Sequence, residues 1–413
     1  MTAQLGSPVV LANGKRTAYL KVGLTGFALE DDKSRASVNL AIVIDRSSSM
    51  SGEKFERAKE AASLAVDRLR DDDIISVVTY DSTVDVLVPA TRASEREAVK
   101  YKIRSLQPRG MTALFGGVAK GAQEVRKFLS GNRVNRIILL SDGQANIGPS
   151  TPNELGRLGI TLGKENISVT TLGLGLGYNE DLMAQLALKS DGNHAFIEDA
   201  SQLAKVFDSE LGDVLAVVAQ EITIKVNLMD GARPIKALDR DAEIRGSQAI
   251  VSLNQLYARQ ERYFLLEVEL PAGAPGTSRE IAKVEVSYGN MLTQKTDRLF
   301  ANVGVGFAAS LAEVDARTNK DVMVSAVEAI ANERSRLAVA LRDEGKVEDA
   351  QNLLRDNASY LQMNSVKLSS PKLNKASIMN NNDAEEVAKS SWDLGTRKKM
   401  RKAQHTTETQ QRY

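Results

Sequence analysis

Cysteine is absent from all 413 residues. That excludes disulfides, thiolate metal sites, iron–sulfur clusters and a cysteine nucleophile, and it fits a reducing compartment. Only two histidines occur, His194 and His405, too few for a histidine-rich zinc site, and no His-Glu-x-x-His run is present. Charge of one sign is missing too: 54 Lys and Arg stand against 53 Asp and Glu, a net +1. This balance excludes a globally basic nucleic-acid binder and a strongly acidic disordered chain. No apolar run reaches the length a bilayer-spanning helix needs; the strongest, 38–44 and 137–140, are strand-sized. Gln4, Asn13, Lys15 and Arg16 interrupt the first 20 residues, so no signal-peptide core forms there. The expectation is a cytoplasmic protein without a membrane span, although a mature secreted chain would have a similar composition.

What remains is a hydrophobic fraction of 42% and a charged fraction of 26%, ordinary values for a globular chain of two to three domains. From 37 to 216, near-continuous apolar runs (39–44, 74–80, 136–140, 168–173) alternate with helical patterns such as Phe55, Ala58, Ala62, Ala65, Val66 and Leu69. Ser94 with Glu97, and Thr151 with Pro152 and Glu154, read as helix-start capping boxes. Such alternation predicts an α/β, doubly wound, mostly parallel sheet. The run 83–88 follows too closely on 74–80 for a crossover, so it is expected as an antiparallel edge. Residues 217–305 change to strands and turns, a β-sandwich. The alternating stretch 16–28 within 1–36 is expected to join it, so that the α/β domain is inserted into the sandwich. Residues 306–365 read as a helical hairpin. The polar, basic tail 366–413 is expected to be mostly disordered, with one short helix near 384–392.

The chemistry-bearing residues cluster where strands end. The first α/β strand runs into Asp45-Arg46-Ser47-Ser48-Ser49, a later one into Ser141-Asp142-Gly143, and between them Arg109-Gly110-Met111-Thr112 precedes a helix. In an open α/β sheet the carboxyl ends of parallel strands form the ligand-binding edge. Two carboxylates and three hydroxyls meeting there form an all-oxygen donor set. It suits Mg²⁺ or Mn²⁺ better than Ca²⁺ and leaves the ion electrophilic.

Asp45-x-Ser47-x-Ser49, Thr112 and Asp142 resemble, position by position, the metal-ion-dependent adhesion site of von Willebrand factor A domains, a resemblance covering about 37–216. It is strongest toward bacterial proteins similar to inter-α-trypsin inhibitor heavy chains and calcium-activated chloride channel regulators. The resemblance implies a Rossmann-like fold, direct ligation by Ser47, Ser49 and Thr112, and water-mediated ligation by Asp45 and Asp142. It also implies a partner protein whose Asp or Glu completes the coordination. A non-enzymatic, metal-dependent protein-binding module is therefore expected; the alternative is a regulatory or assembly subunit of a larger complex, of the chelatase or kinase/phosphatase kind.

Other motifs carry less. The run 173–177 (Gly-Leu-Gly-Leu-Gly) lacks the spacing of a dinucleotide fingerprint and reads as a turn on the metal edge. An aspartyl phosphatase would want an acid where Ser47 stands. His194 reads as structural, the basic run 397–402 as a solvated tail with no nucleic acid bound, and Trp392 as undecided.

Overall fold

The computed structural model describes residues 1–29, 35–238, 240–390 and 392–410. Three strands come first: β1 (Thr2–Leu5), β2 (Val9–Leu11) and β3 (Arg16–Thr25). The α/β unit follows, with β4 (Ser37–Asp45), α1 (Glu53–Arg68), β5 (Ile74–Tyr80), β6 (Val84–Arg92), α2 (Arg96–Arg104), α3 (Leu114–Arg126), β7 (Arg133–Ser141), α4 (Pro152–Lys164), β8 (Ile167–Leu174), α5 (Glu180–Lys189), β9 (His194–Ile197) and α6 (Leu203–Leu215). Its sheet runs in the order β6-β5-β4-β7-β8-β9. All pairs are parallel except β5 with β6, which is the antiparallel edge anticipated from the short connection. Alternation along β4 explains the two helical layers. Val38, Leu40, Ile42 and Ile44 face the core shared with α1 and α6, while Ala41 and Val43 face that of α3, α4 and α5. The chain leaves β4 for β5 on one side and returns to β7 on the other. The carboxyl ends of β4 and β7 therefore flank the point where the strand order reverses, where such sheets open a crevice.

Thr151 caps α4 as its sequence signature implies: its hydroxyl accepts from Glu154 N, and the Glu154 carboxylate accepts from Thr151 N at 3.0 Å. The second expected capping box does not form. α2 starts one residue later than that signature requires, with Glu95 at the cap position and no side-chain hydrogen bond there.

The remaining strands are β10 (Val217–Leu228), β11 (Arg233–Ala237), β12 (Glu243–Arg245), β13 (Gln248–Tyr257), β14 (Glu261–Leu270), β15 (Ser278–Asn290) and β16 (Lys295–Ala308). They form two sheets, β1-β3-β14-β11 and β12-β13-β10-β15-β16-β2. Leu20 and Val22 meet Ile224, Val226, Phe264, Leu266, Val284 and Val286 in the core between them. β3 pairs with β14 from Arg16↔Leu270 to Thr25↔Glu261, so strands on both sides of the α/β unit share one sheet. Gly26 sits at that crossing, where a Cβ would fall 2.1 Å from the Tyr257 carbonyl oxygen.

The chain closes with α7 (Leu311–Ala316), α8 (Lys320–Asp343), α9 (Val347–Leu368), α10 (Pro371–Ala388) and α11 (Leu394–Thr409). The expectation of a mostly disordered tail beyond 365 is overturned, as is that of a single short helix near 384–392. Ser370 and Asp393 cap α10 and α11 through side-chain hydrogen bonds. Leu373, Ala384, Val387 and Met400 are buried against α8 and α9. The basic run is not a solvated tail either, although Lys399 stays exposed. Lys398, 1% exposed, donates to the Tyr178 carbonyl at 2.6 Å and pairs with Glu180. Arg397 pairs with Glu180, and with Asp181 and Asp343 at 2.6 Å each. Low apolar content misled because much of the contact that orders α11 is ionic and lies on a distant part of the chain. Trp392 packs on the α8–α11 core with the Arg342 guanidinium over its ring. Among the described residues, no helix is long and apolar enough to cross a membrane.

Candidate metal centre

Asp45 is the last residue of β4 and is fully buried. One carboxylate oxygen accepts from the backbone N–H of Ser47 at 2.9 Å, the other from the Ser141 hydroxyl at 2.7 Å. The first contact folds the chain back sharply, as an aspartate-capped turn does, and sends Ser47 and Ser49 over the strand end. Their hydroxyl oxygens lie 3.0 Å apart. Ser49 donates at 2.7 Å to one oxygen of Asp142, which follows β7 directly. Burial pushes the Asp45 carboxyl up to about 6, against the hydrogen bonds from Ser141 and Ser47, and the nearby charge of Asp142 adds to the rise.

Thr112 arrives from the loop before α3. Arg109 N donates to the Arg46 carbonyl at 2.6 Å and Ser48 N to that of Gly110 at 3.1 Å, tying this loop to the serine turn. Gly110, at φ +72°, passes so close to Ser82 that a Cβ would meet its hydroxyl at 2.9 Å. Thr112 N donates to the Asn146 side-chain oxygen at 2.8 Å, and Asn146 N returns to the Thr112 carbonyl at 3.1 Å. The Thr112 and Ser49 hydroxyls converge beside Gly143: a Cβ there would stand 3.0 Å from Thr112 Oγ1 and 3.4 Å from Ser49 Oγ. Ser47, Thr112 and Asp142 are buried, whereas Ser49 stands exposed on the rim. The structure thus brings all five sequence-selected residues to one edge: Asp45, Ser47, Ser49 and Asp142 through hydrogen bonds, Thr112 beside Ser49 across Gly143.

A small hard cation fits this donor set. Three hydroxyls and two carboxylates converge without sulfur or imidazole, and glycine keeps the space beside Ser49 and Thr112 open. Among the described residues there is no group of three or more His, Asp or Glu side chains that could hold a metal, so hydroxyls dominate this set.

Four participants escaped the sequence reading. Asn146 fixes Thr112, and Gly143 leaves the cradle open. Tyr80, fully buried beneath the edge, donates to the Leu140 carbonyl at 3.3 Å and is pushed well above its usual range, first by burial and then by Asp45. Lys54 bonds Asp142 at 2.5 Å. The Gly-rich run 173–177 does lie against this edge, a Cβ on Gly177 falling 2.8 Å from the Asp142 carbonyl oxygen. His194 is buried away from it, its Nδ1 2.8 Å from the Thr171 hydroxyl. A cleft of about 1630 Å³ among α4, α5, β13, α8 and α11 contains none of the five residues.

Residues 39–209, which hold this open sheet and its oxygen-lined edge, match the family model of the von Willebrand factor type A domain. The chain is 28% identical over 281 residues to an uncharacterised protein of Synechocystis sp., covering 65% of this chain and 66% of that one. It is 29% identical over 192 residues to inter-alpha-trypsin inhibitor heavy chain H3 of Rattus norvegicus, covering 43% and 21% respectively. The chain thus spans just under two thirds of the first relative and about a fifth of the second. A solved von Willebrand factor type A protein from Catenulispora acidiphila superposes with a TM-score of 0.76 at 18% identity, covering 98% of this chain and 96% of its own. The fold likeness therefore runs through the sandwich and the C-terminal helices as well.

Proposed function

We propose that this protein is a non-enzymatic module that captures an acidic side chain of a partner protein through a divalent ion, Mg²⁺ or Mn²⁺, at the carboxyl edge of its α/β sheet. The observation that carries the reading is the meeting of the Ser47, Ser49 and Thr112 hydroxyls with the Asp142 carboxylate around Gly143, over a turn fixed by the Asp45 carboxylate. It agrees with the common use of von Willebrand factor A domains as metal-dependent protein-interaction modules. The bound ion would supply a Lewis-acidic position for a carboxylate. Ser47, Ser49 and Thr112 would hold it with neutral oxygens, which cancel little of its charge. Asp45 and Asp142 would orient those hydroxyls and add the anionic share. No histidine belongs to this edge, which favours binding over general-base catalysis.

Asp45→Ala and Thr112→Ala test the reading together, since they alter different loops and neither opens the apolar core. Each is expected to keep a cooperative thermal transition while losing Mg²⁺ binding in calorimetry. A wild type that binds neither Mg²⁺ nor Mn²⁺ would remove the metal from the account and leave the fold in place.

A further inference from the structure

Lys54 occupies the second position of α1, where the positive end of the helix dipole disfavours a cation. Its side chain runs toward Gly175, whose Cβ, if it had one, would lie 3.5 Å from the lysine Cε and Nζ. Gly175 has φ +67° and so gives passage both in conformation and in bulk. The ammonium ends 2.5 Å from Asp142 Oδ2. The other oxygen, Oδ1, is the one that accepts from Ser49. Lys54 and Ser49 therefore take different oxygens of Asp142, and the ammonium does not compete with the hydroxyl for Oδ1. The two carboxylates are not equivalent: the hydrogen bonds to Asp45 come from neutral donors, Ser47 N and Ser141 Oγ among them, while Asp142 carries a cation.

Building on the metal-site reading, we propose that Lys54 is a built-in counter-charge that sets the division of labour between metal affinity and partner affinity. Two carboxylates and one ammonium leave the edge with one net negative charge. With Lys54 in place, a divalent cation is only half neutralised by the protein, and the remainder attracts an incoming carboxylate. Without Lys54, the edge holds the cation more tightly but offers a partner no net charge. The lysine thus makes the metal site weaker by itself and stronger as a trap. A merely structural lysine would shift both affinities in one direction; this one shifts them in opposite directions.

The full-length protein, Lys54→Met and Lys54→Arg can be compared with Mn²⁺ as the metal probe and acetate as the carboxylate probe. Water-proton relaxation reads Mn²⁺ binding, and broadening of the acetate methyl line at saturating Mn²⁺ reads carboxylate capture. Lys54→Met is expected to bind Mn²⁺ about tenfold more tightly and acetate about tenfold more weakly, as loss of one nearby unit charge implies at a partly exposed site. Lys54→Arg keeps the charge and is expected to stay near wild type in both. If Lys54→Met weakens both, tightens both, or changes acetate alone, the counter-charge role is overturned while the metal site stands. A wild type that binds no Mn²⁺ overturns both.

Discussion

At Gly143 a single hydrogen separates an open cradle from a filled one. Gly143→Ala would place a methyl group 3.0 Å from the Thr112 hydroxyl, tighter than ordinary contact, in the space where Ser49 and Thr112 converge. The expected outcome is a loss of Mg²⁺ affinity on the order of tenfold, about 1.4 kcal/mol, with the thermal midpoint unchanged within a degree or so. Titration calorimetry and a thermal melt in chelator would check the two halves separately. The five donors were legible because each belongs to a short local pattern at a strand end or helix start. Gly143, Asn146 and Lys54 were not, because their roles exist only once three loops meet. Asn146 makes sense only opposite Thr112, and Lys54 only opposite Asp142.

α11 shows the same difference between composition and contact. Its sequence is basic and poor in large apolar residues, yet it docks along α5, β9 and α8 through Lys398, Arg397 and Met400, with His405 packed edge-on to His194 at 5.6 Å between ring centres. His405 is pushed down to about 4, first by burial and then by the charge of Arg336; His194 is also driven well below its usual range, chiefly by burial. A histidine held below its unfolded value of about 6.5 takes up its proton more readily when unfolded. Its contribution is therefore complete above about pH 6.5 and is lost as pH falls toward 4. The wild type should lose more stability across that window than His405→Gln, the difference amounting to a few kcal/mol. Comparing the two proteins by denaturant unfolding at pH 7 and pH 4.5 cancels carboxylates that titrate in both. Amide exchange in α11 should also speed up on acidification in the wild type.

Across the whole molecule, Arg136 joins the α/β unit to the sandwich. It is fully buried in β7, and its guanidinium donates to Gln255 at 2.5 Å, Tyr257 at 2.7 Å and Thr170 at 3.2 Å. Arg136→Met keeps most of the stem but strands the Gln255 and Tyr257 polar groups, at a cost of about 2–4 kcal/mol. Scanning calorimetry should then show an earlier transition that broadens or splits as the two units uncouple. The alternating α/β pattern and the run of later strands were readable from periodicity alone. This arginine was not, since a charged residue opening an apolar strand looks like a solvent-facing end until the sandwich covers it.

The pairing of β3 with β14 also has a temporal side. A ribosome releases β3 early and its hydrogen-bonding partner only after the whole α/β unit has emerged. Until then Leu20 and Val22 have no opposite sheet and β3 has an open edge, the kind of surface that chaperones shield and that pairs wrongly with other chains. If the intervening residues fold first, both ends of that body lead to sandwich strands, and the late pairing closes a smaller loop than an unfolded chain would. In that order of events the inserted domain would be the template that delivers β3 to β14, and conditions that slow its folding should send newly made chains toward aggregation through their N-terminal strands.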